Sequence, residues 1–148
     1  MKPRRIFIWA LAAVAALNVY SYTKQHTKAD VLAYKRLASA LADNDGGTIQ
    51  KMVLDSSCGD QLARSDEERK KLLGNKSVLF TYYVIKQQRY SYDGESSYIV
   101  AEQVSRVKSP GVNTVIGDSE VRIRHDVQMV KRDNSWYVKQ FGKPTMLQ

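Results

Sequence analysis

Polar and apolar positions alternate along this chain in two rhythms. The first is an uncharged run of 17 residues, Ile6 to Tyr22, preceded by Lys2, Arg4 and Arg5. As a helix it would have every backbone group bonded internally, as a bilayer requires, and would cover about 25 Å, slightly under a typical hydrocarbon core and at the short limit for a span. Ile6, Trp9, Leu11, Leu17 and Tyr20 are the expected anchor positions, with Tyr20, Tyr22 and Trp9 near the two interfaces. The basic residues before the run place the N-terminus inside. A cleaved secretory signal is the rival, with Ala13-Val14-Ala15 or Val19-Tyr20-Ser21 as the cleavage site. A buried soluble helix is the third reading. Residues 1–5 are then a cytoplasmic basic flank, 6–22 a transmembrane anchor or signal, 23–26 a joint, 27–142 an exported domain and 143–148 a tail.

Helical spacing returns after the joint. Thr27 and Asp30 read as a cap and first-turn acid. Val31, Tyr34, Leu37, Ala38 and Leu41 form an apolar stripe up to Asp43. No proline or glycine separates the span from this helix, so the two could be continuous. Asp45-Gly46-Gly47 ends it. Thr48 opens a short helix with Ile49, Met52 and Val53 inward, and Ser65-Asp66-Glu67-Glu68 reads as a capping box for a third helix ending at Gly74.

The period then changes from helical to alternating. Strands are expected over Val78–Tyr92, Ser97–Lys108, Glu120–Lys131 and Ser135–Phe141. Asp93-Gly94 signals a type I′ hairpin, and a loop is expected from Ser109-Pro110-Gly111 to Gly117-Asp118. The fold class is α+β: an N-terminal transmembrane helix, then two or three helices packed on a four-stranded antiparallel curved sheet in meander order.

Composition narrows the function classes. The 148 residues carry a net charge of +8. The positive charge is dispersed, and the densest basic run, Arg69-Lys70-Lys71, directly follows Asp66-Glu67-Glu68. That makes a solvated helix face rather than a nucleic-acid patch, so no nucleic-acid partner is expected. Cys58 is the single cysteine. It is expected to be buried and inert, with no internal disulfide and no thiolate cluster. Asn75-Lys76-Ser77 matches the glycosylation triplet, which matters only in a eukaryotic lumen. Two histidines and one cysteine, far apart, form no metal site of recognised spacing, and no Gly-rich phosphate loop follows a strand. No cofactor is expected.

The helix-then-strand order and the closing phrase from Val127 to Val138 (VQMVKRDNSWYV) resemble the cystatin-like cone of the nuclear transport factor 2-like superfamily, over about residues 27–142. A single span before such a domain is similar to bacterial single-span assembly components of secretion and conjugation machines. It is also similar to membrane proteins associated with mammalian-cell-entry-type lipid transporters. A pilin-like arrangement is the other architecture, but Arg5-Ile6-Phe7 stands where a Gly-Phe processing site would be, and no acidic residue precedes Asp30.

The resemblance implies a concave cavity, in which related enzymes use an Asp or His with Tyr or Asp donors. Here His125 is the candidate base, with Tyr82 and Tyr98 as hydroxyl donors. A lone histidine on an apolar strand face is more often a core residue. Tyr90, Tyr92 and Tyr98 are candidates for a contact surface at the outer end of the hairpin. The expected function is a non-catalytic, membrane-anchored subunit or assembly factor of a bacterial envelope complex. It would be single-pass in the inner membrane with its C-terminal domain exported, its partners being the lipid bilayer, other membrane or envelope subunits, or further copies of itself. The alternative is small-molecule binding or an isomerase- or dehydratase-type enzyme using His125.

Overall fold

The computed structural model describes residues 3–108 and 118–147, apart from the side chains of residues 3–6, 25, 26 and 118. The Ser109–Gly117 loop and the side chains of Ile6 and His26 lie outside that description. The fold is α+β, with four helices and a five-stranded antiparallel sheet. Helix α1 runs Pro3–His26, α2 Ala29–Asp43, α3 Gly46–Met52 and α4 Ser56–Leu73. Strand β1 spans Ser77–Tyr90, β2 Ser96–Lys108, β3 Asp118–Arg132, β4 Ser135–Phe141 and β5 Thr145–Leu147.

Apolar side chains surround α1. Trp9 is 69 % exposed and Leu17 66 %, and Phe7, Ile8, Leu11, Val14 and Tyr20 are exposed with them. Among the described residues no helix is long and apolar enough to cross a membrane. The expected transmembrane helix is therefore a helix, but not one that meets the requirement for a span. Asn18, Ser21, Tyr20 and Tyr22 dilute its last turns, and Asn18 turns its amide back to the Val14 carbonyl at 2.9 Å. Nor is α1 continuous with α2. Lys28 takes an extended conformation and caps α2 without a side-chain bond, while the Thr27 hydroxyl donates backward to the Thr23 carbonyl at 2.8 Å.

The helical stripe of α2 lands where its spacing puts it. Val31, Tyr34, Leu37, Ala38 and Leu41 are all buried, against Ile85, Ile99, Ala101, Val127, Met129, Val138 and Phe141 of the sheet. Asn44, left-handed at φ 55°, closes α2 with its N–H on the Ala40 and Leu41 carbonyls. Asp45 then caps α3 through the Thr48 N–H at 3.1 Å and hydroxyl at 2.6 Å.

Helix α4 starts well before the expected capping box. Asp55 caps it by accepting from the Cys58 N–H at 2.9 Å, and the Ser65–Glu68 segment falls inside the helix. The box loses because Leu62, Ser65, Asp66, Arg69 and Leu73 form a single buried stripe, so packing extends the helix past a local signal.

The sheet order is β1-β2-β3-β4, with β5 pairing beside the first half of β3 where the sequence suggested only a tail. Register shifts in β1 and between Gln128 and Met129 bend the sheet around the helices. The hairpin turns exchange roles. Gly94 alone has positive φ in the first, a five-residue loop from Ser91 to Glu95. Asp133 and Asn134, at φ 46° and 64°, form the two-residue left-handed turn between β3 and β4. The first loop is longer because Asp93 accepts from the Ser91 hydroxyl and from the Glu95 N–H at 3.0 Å, bonds that set their own turn.

Candidate functional site

Cross-strand register decides which polar side chains meet. Ala101 lies opposite His125, and Gln103 lies opposite Ile123 on one side and Tyr83 on the other. Residues opposite each other share a face, so His125, Gln103, Tyr83, Thr81 and Ser105 point to the concave side beneath the helices. Tyr82 pairs with Val104 and Tyr98 with Gln128, which puts both tyrosines on the outer face. The expected trio of His125, Tyr82 and Tyr98 is not assembled. One residue of register separates the two sets, and one residue is enough to reverse a strand's faces.

A different group assembles around His125. Its ring is 1 % exposed and stands edge-on to Phe141, with centroids 5.3 Å apart. Among the described residues neither ring nitrogen has a hydrogen-bond partner. Gln103 donates to the Ser105 hydroxyl at 3.0 Å, which lies 2.9 Å from the Thr81 hydroxyl, but the Gln103 carbonyl oxygen is unpartnered. Tyr34 comes down from α2 with its ring edge-on to Tyr83 at 6.0 Å and its hydroxyl unpartnered. The Tyr83 hydroxyl donates to the Ala38 carbonyl at 3.1 Å. On α4, Arg69 holds Asp66 through Nη2 at 2.7 Å and Nε at 2.8 Å, and Lys70 adds a contact of 2.8 Å.

The electrostatics follow from burial. Desolvation, helped by the Arg69 charge, pushes the His125 imidazole down to about 4, against a weaker opposing pull from Asp66 and Asp126. The ring is therefore neutral at pH 7, with one donor and one bare acceptor. Burial pushes the Tyr34 and Tyr83 hydroxyls up, so both remain protonated donors. The cluster is poorly arranged for proton abstraction. A base works best with its pKa near the working pH, and His125 lies well below it. Asp66 is held by two cations, and Asp126 lies on the outer face with Arg124 at 3.0 Å and the Tyr98 hydroxyl at 3.1 Å. Neither carboxylate orients the ring.

Sequence reading missed Tyr34, Tyr83, Gln103, Asp66 and Arg69. One signal was present: Leu62, Asp66, Arg69 and Leu73 recur at helical spacing. Gln103 and Ser105 also interrupt the odd-numbered apolar positions of β2. No group of metal-ligating side chains occurs among the described residues.

The contact tyrosines separate in the same way. Tyr90 donates to Asp30 at 2.8 Å, Tyr98 is held by Asp126, and Tyr92 stands fully exposed at the turn. Asp30 is buried and also accepts from Gln88 and Ser97, so three donors tie the first turn of α2 to the β1–β2 hairpin. Cys58 is buried as expected, with its thiol 2.9 Å from the Lys139 carbonyl and pushed up by burial. No family model, curated protein or solved structure matches the chain.

Proposed function

We propose that this protein is a membrane-anchored, non-catalytic subunit or assembly factor of a bacterial envelope complex. Its N-terminus lies inside and its α+β domain is exported to touch other subunits. The observation that carries this reading is α1. Apolar side chains exposed around a helix of 24 residues demand a cover, and Lys2, Arg4 and Arg5 sit at the end that would face the cytoplasm. At 1.5 Å per residue the helix is about 36 Å long, which is long enough in length if not in apolar content. The likeness to the nuclear transport factor 2-like cone adds a fold on which binding surfaces are commonly built.

The surface offered to a partner is the β1 edge. Val78, Leu79 and Phe80 are exposed, Phe80 stacks on Tyr82 at 6.5 Å, and among the described residues β1 has a neighbour on one side only. An unpaired edge with apolar side chains is a template for an added strand. Alkaline washing of membranes from cells making the full chain tests the anchor. Retention in the pellet with Met1 or Lys2 at the N-terminus is expected, and release, or a mature N-terminus beyond Ala15, removes it. Site-specific crosslinking from position 79 tests the edge, with an adduct to another envelope subunit expected.

The second reading is a ligand site in the concave cluster, favoured by four unpartnered buried atoms on Tyr34, Gln103 and His125. It expects His125→Gln to abolish function without unfolding the domain. A silent substitution leaves the subunit reading alone.

A further inference from the structure

A groove of about 470 Å³ opens between the first turns of α2, one side of α3 and the β3–β4 turn. Its floor is apolar and aromatic, from Met52, Trp136 and Tyr137, with Leu32 half-exposed at the side, and its exposed rim carries Arg36 and Lys51. No carboxylate lines it. Asp45 lies within electrostatic reach of Lys51, but it is occupied in capping α3 through Thr48. Neither Arg36 nor Lys51 forms an ion pair among the described residues.

The groove also has a defined place. Ala29, on its wall, is two residues beyond Thr27, where α1 has just ended. Lys28 lies in that joint with its ammonium 5.4 Å from the centre of the Tyr90 ring, and Tyr90 lies 6.0 Å from Trp136. Joint, aromatic pair and groove are therefore contiguous.

We infer that this groove binds the headgroup and upper chain of an anionic phospholipid. Arg36 and Lys51 meet the phosphate, and the aromatic floor covers the glycerol and the first methylenes. Two cations without an acid select negative charge. A free phosphate would leave the apolar floor wet, whereas an amphiphile satisfies both parts of the lining. The inference rests on the anchored reading for the source of its ligand, because α1 brings the groove to the bilayer surface.

The chain has two tryptophans, Trp9 and Trp136. The full chain carrying Trp9→Phe, in a nonionic detergent, therefore reports on the groove through Trp136 fluorescence alone. Titration with dihexanoyl phosphatidylglycerol is expected to give a saturable change, at least about tenfold tighter than with dihexanoyl phosphatidylcholine, since both cations attract an anionic headgroup. Arg36→Gln with Lys51→Gln, both exposed, is expected to erase that preference while leaving the melting temperature unchanged. Equal affinity for the two lipids, full saturation by inorganic phosphate, or an unaltered preference in the double variant would each overturn the inference. Failure of the anchored reading registers separately, as release of the wild-type chain by alkaline washing.

Discussion

Two polar sites are buried in the same small domain, and they are built in opposite ways. Asp30 is fully enclosed and accepts from three donors, Gln88, Tyr90 and Ser97, while Lys28 donates to the side-chain amide oxygen of Gln88 at 2.6 Å. Some way up the same helix, Tyr34 looks into a cluster where its own hydroxyl, the Gln103 carbonyl and both His125 nitrogens meet nothing. A buried polar group with all its partners fastens elements together. One without them destabilises, by about 1–3 kcal/mol for each unmet group, unless water or a ligand completes it. Asp30 is therefore a structural tie between α2 and the hairpin. Tyr34, Gln103 and His125 are instead polar groups that no other group among the described residues satisfies.

The contrast is sharpest at the border of the unsatisfied cluster, where Asp66 neutralises a nearly buried Arg69. Asp66→Ala strands that guanidinium, and chemical denaturation of the full chain should show a loss of about 4 kcal/mol. Adding Arg69→Met should recover most of it. Asp30→Ala leaves three donors facing each other and should cost about 3 kcal/mol in the same assay. Substitution of Ser97 or Tyr90 alone should cost less.

Acid distinguishes the two sites again. His125 is held near pH 4 in the folded chain, against about 6.5 when unfolded. Between those values the unfolded chain binds the extra proton, so stability is complete above pH 6.5 and falls as the pH drops toward 4. The loss approaches about 3 kcal/mol, at 1.36 kcal/mol for each unit of difference. Melting temperatures measured from pH 7 to pH 4 should show this slope, and His125→Phe should flatten it. The capping carboxylates Asp45 and Asp55 and the turn carboxylate Asp93 are held below their ordinary range by the hydrogen bonds they accept, so their contributions disappear only in stronger acid.

At pH 7 His125→Phe removes two unmet nitrogens and should change stability by no more than about 1 kcal/mol. Tyr92→Ser, at the exposed turn, should alter it by less than about 0.5 kcal/mol. A comparable loss at Tyr92 and at Asp30 would dissolve the distinction between tie and surface.

Much of this architecture was legible where one face of an element is dry and the other wet. The stripe of α2 and the alternation of Val121, Ile123, Val127 and Met129 on β3 identify buried faces correctly. Strand β2 misleads because it is central. Val100 and Val104 lie on its outer face, yet both are buried, Val104 between Tyr82 and Arg122 as its cross-strand neighbours. With apolar residues on both faces, alternation carries no sign, and the Tyr82–Tyr98–His125 grouping followed from the wrong one. Asp30 was read as a helix-start acid because its partners lie about 60 residues away, beyond the reach of any local rule. The early start of α4 and the return of β5 to β3 are likewise outcomes of packing, with little local cue.

The break at Thr27 and Lys28 has a mechanical consequence. Two residues can pay out at most about 7 Å of chain, and Lys28 is itself fastened to Gln88 and laid over Tyr90. Such a joint has little slack in length. Whatever grips α1 therefore bounds how far the body can lie from it, and a binding companion has to approach within that reach.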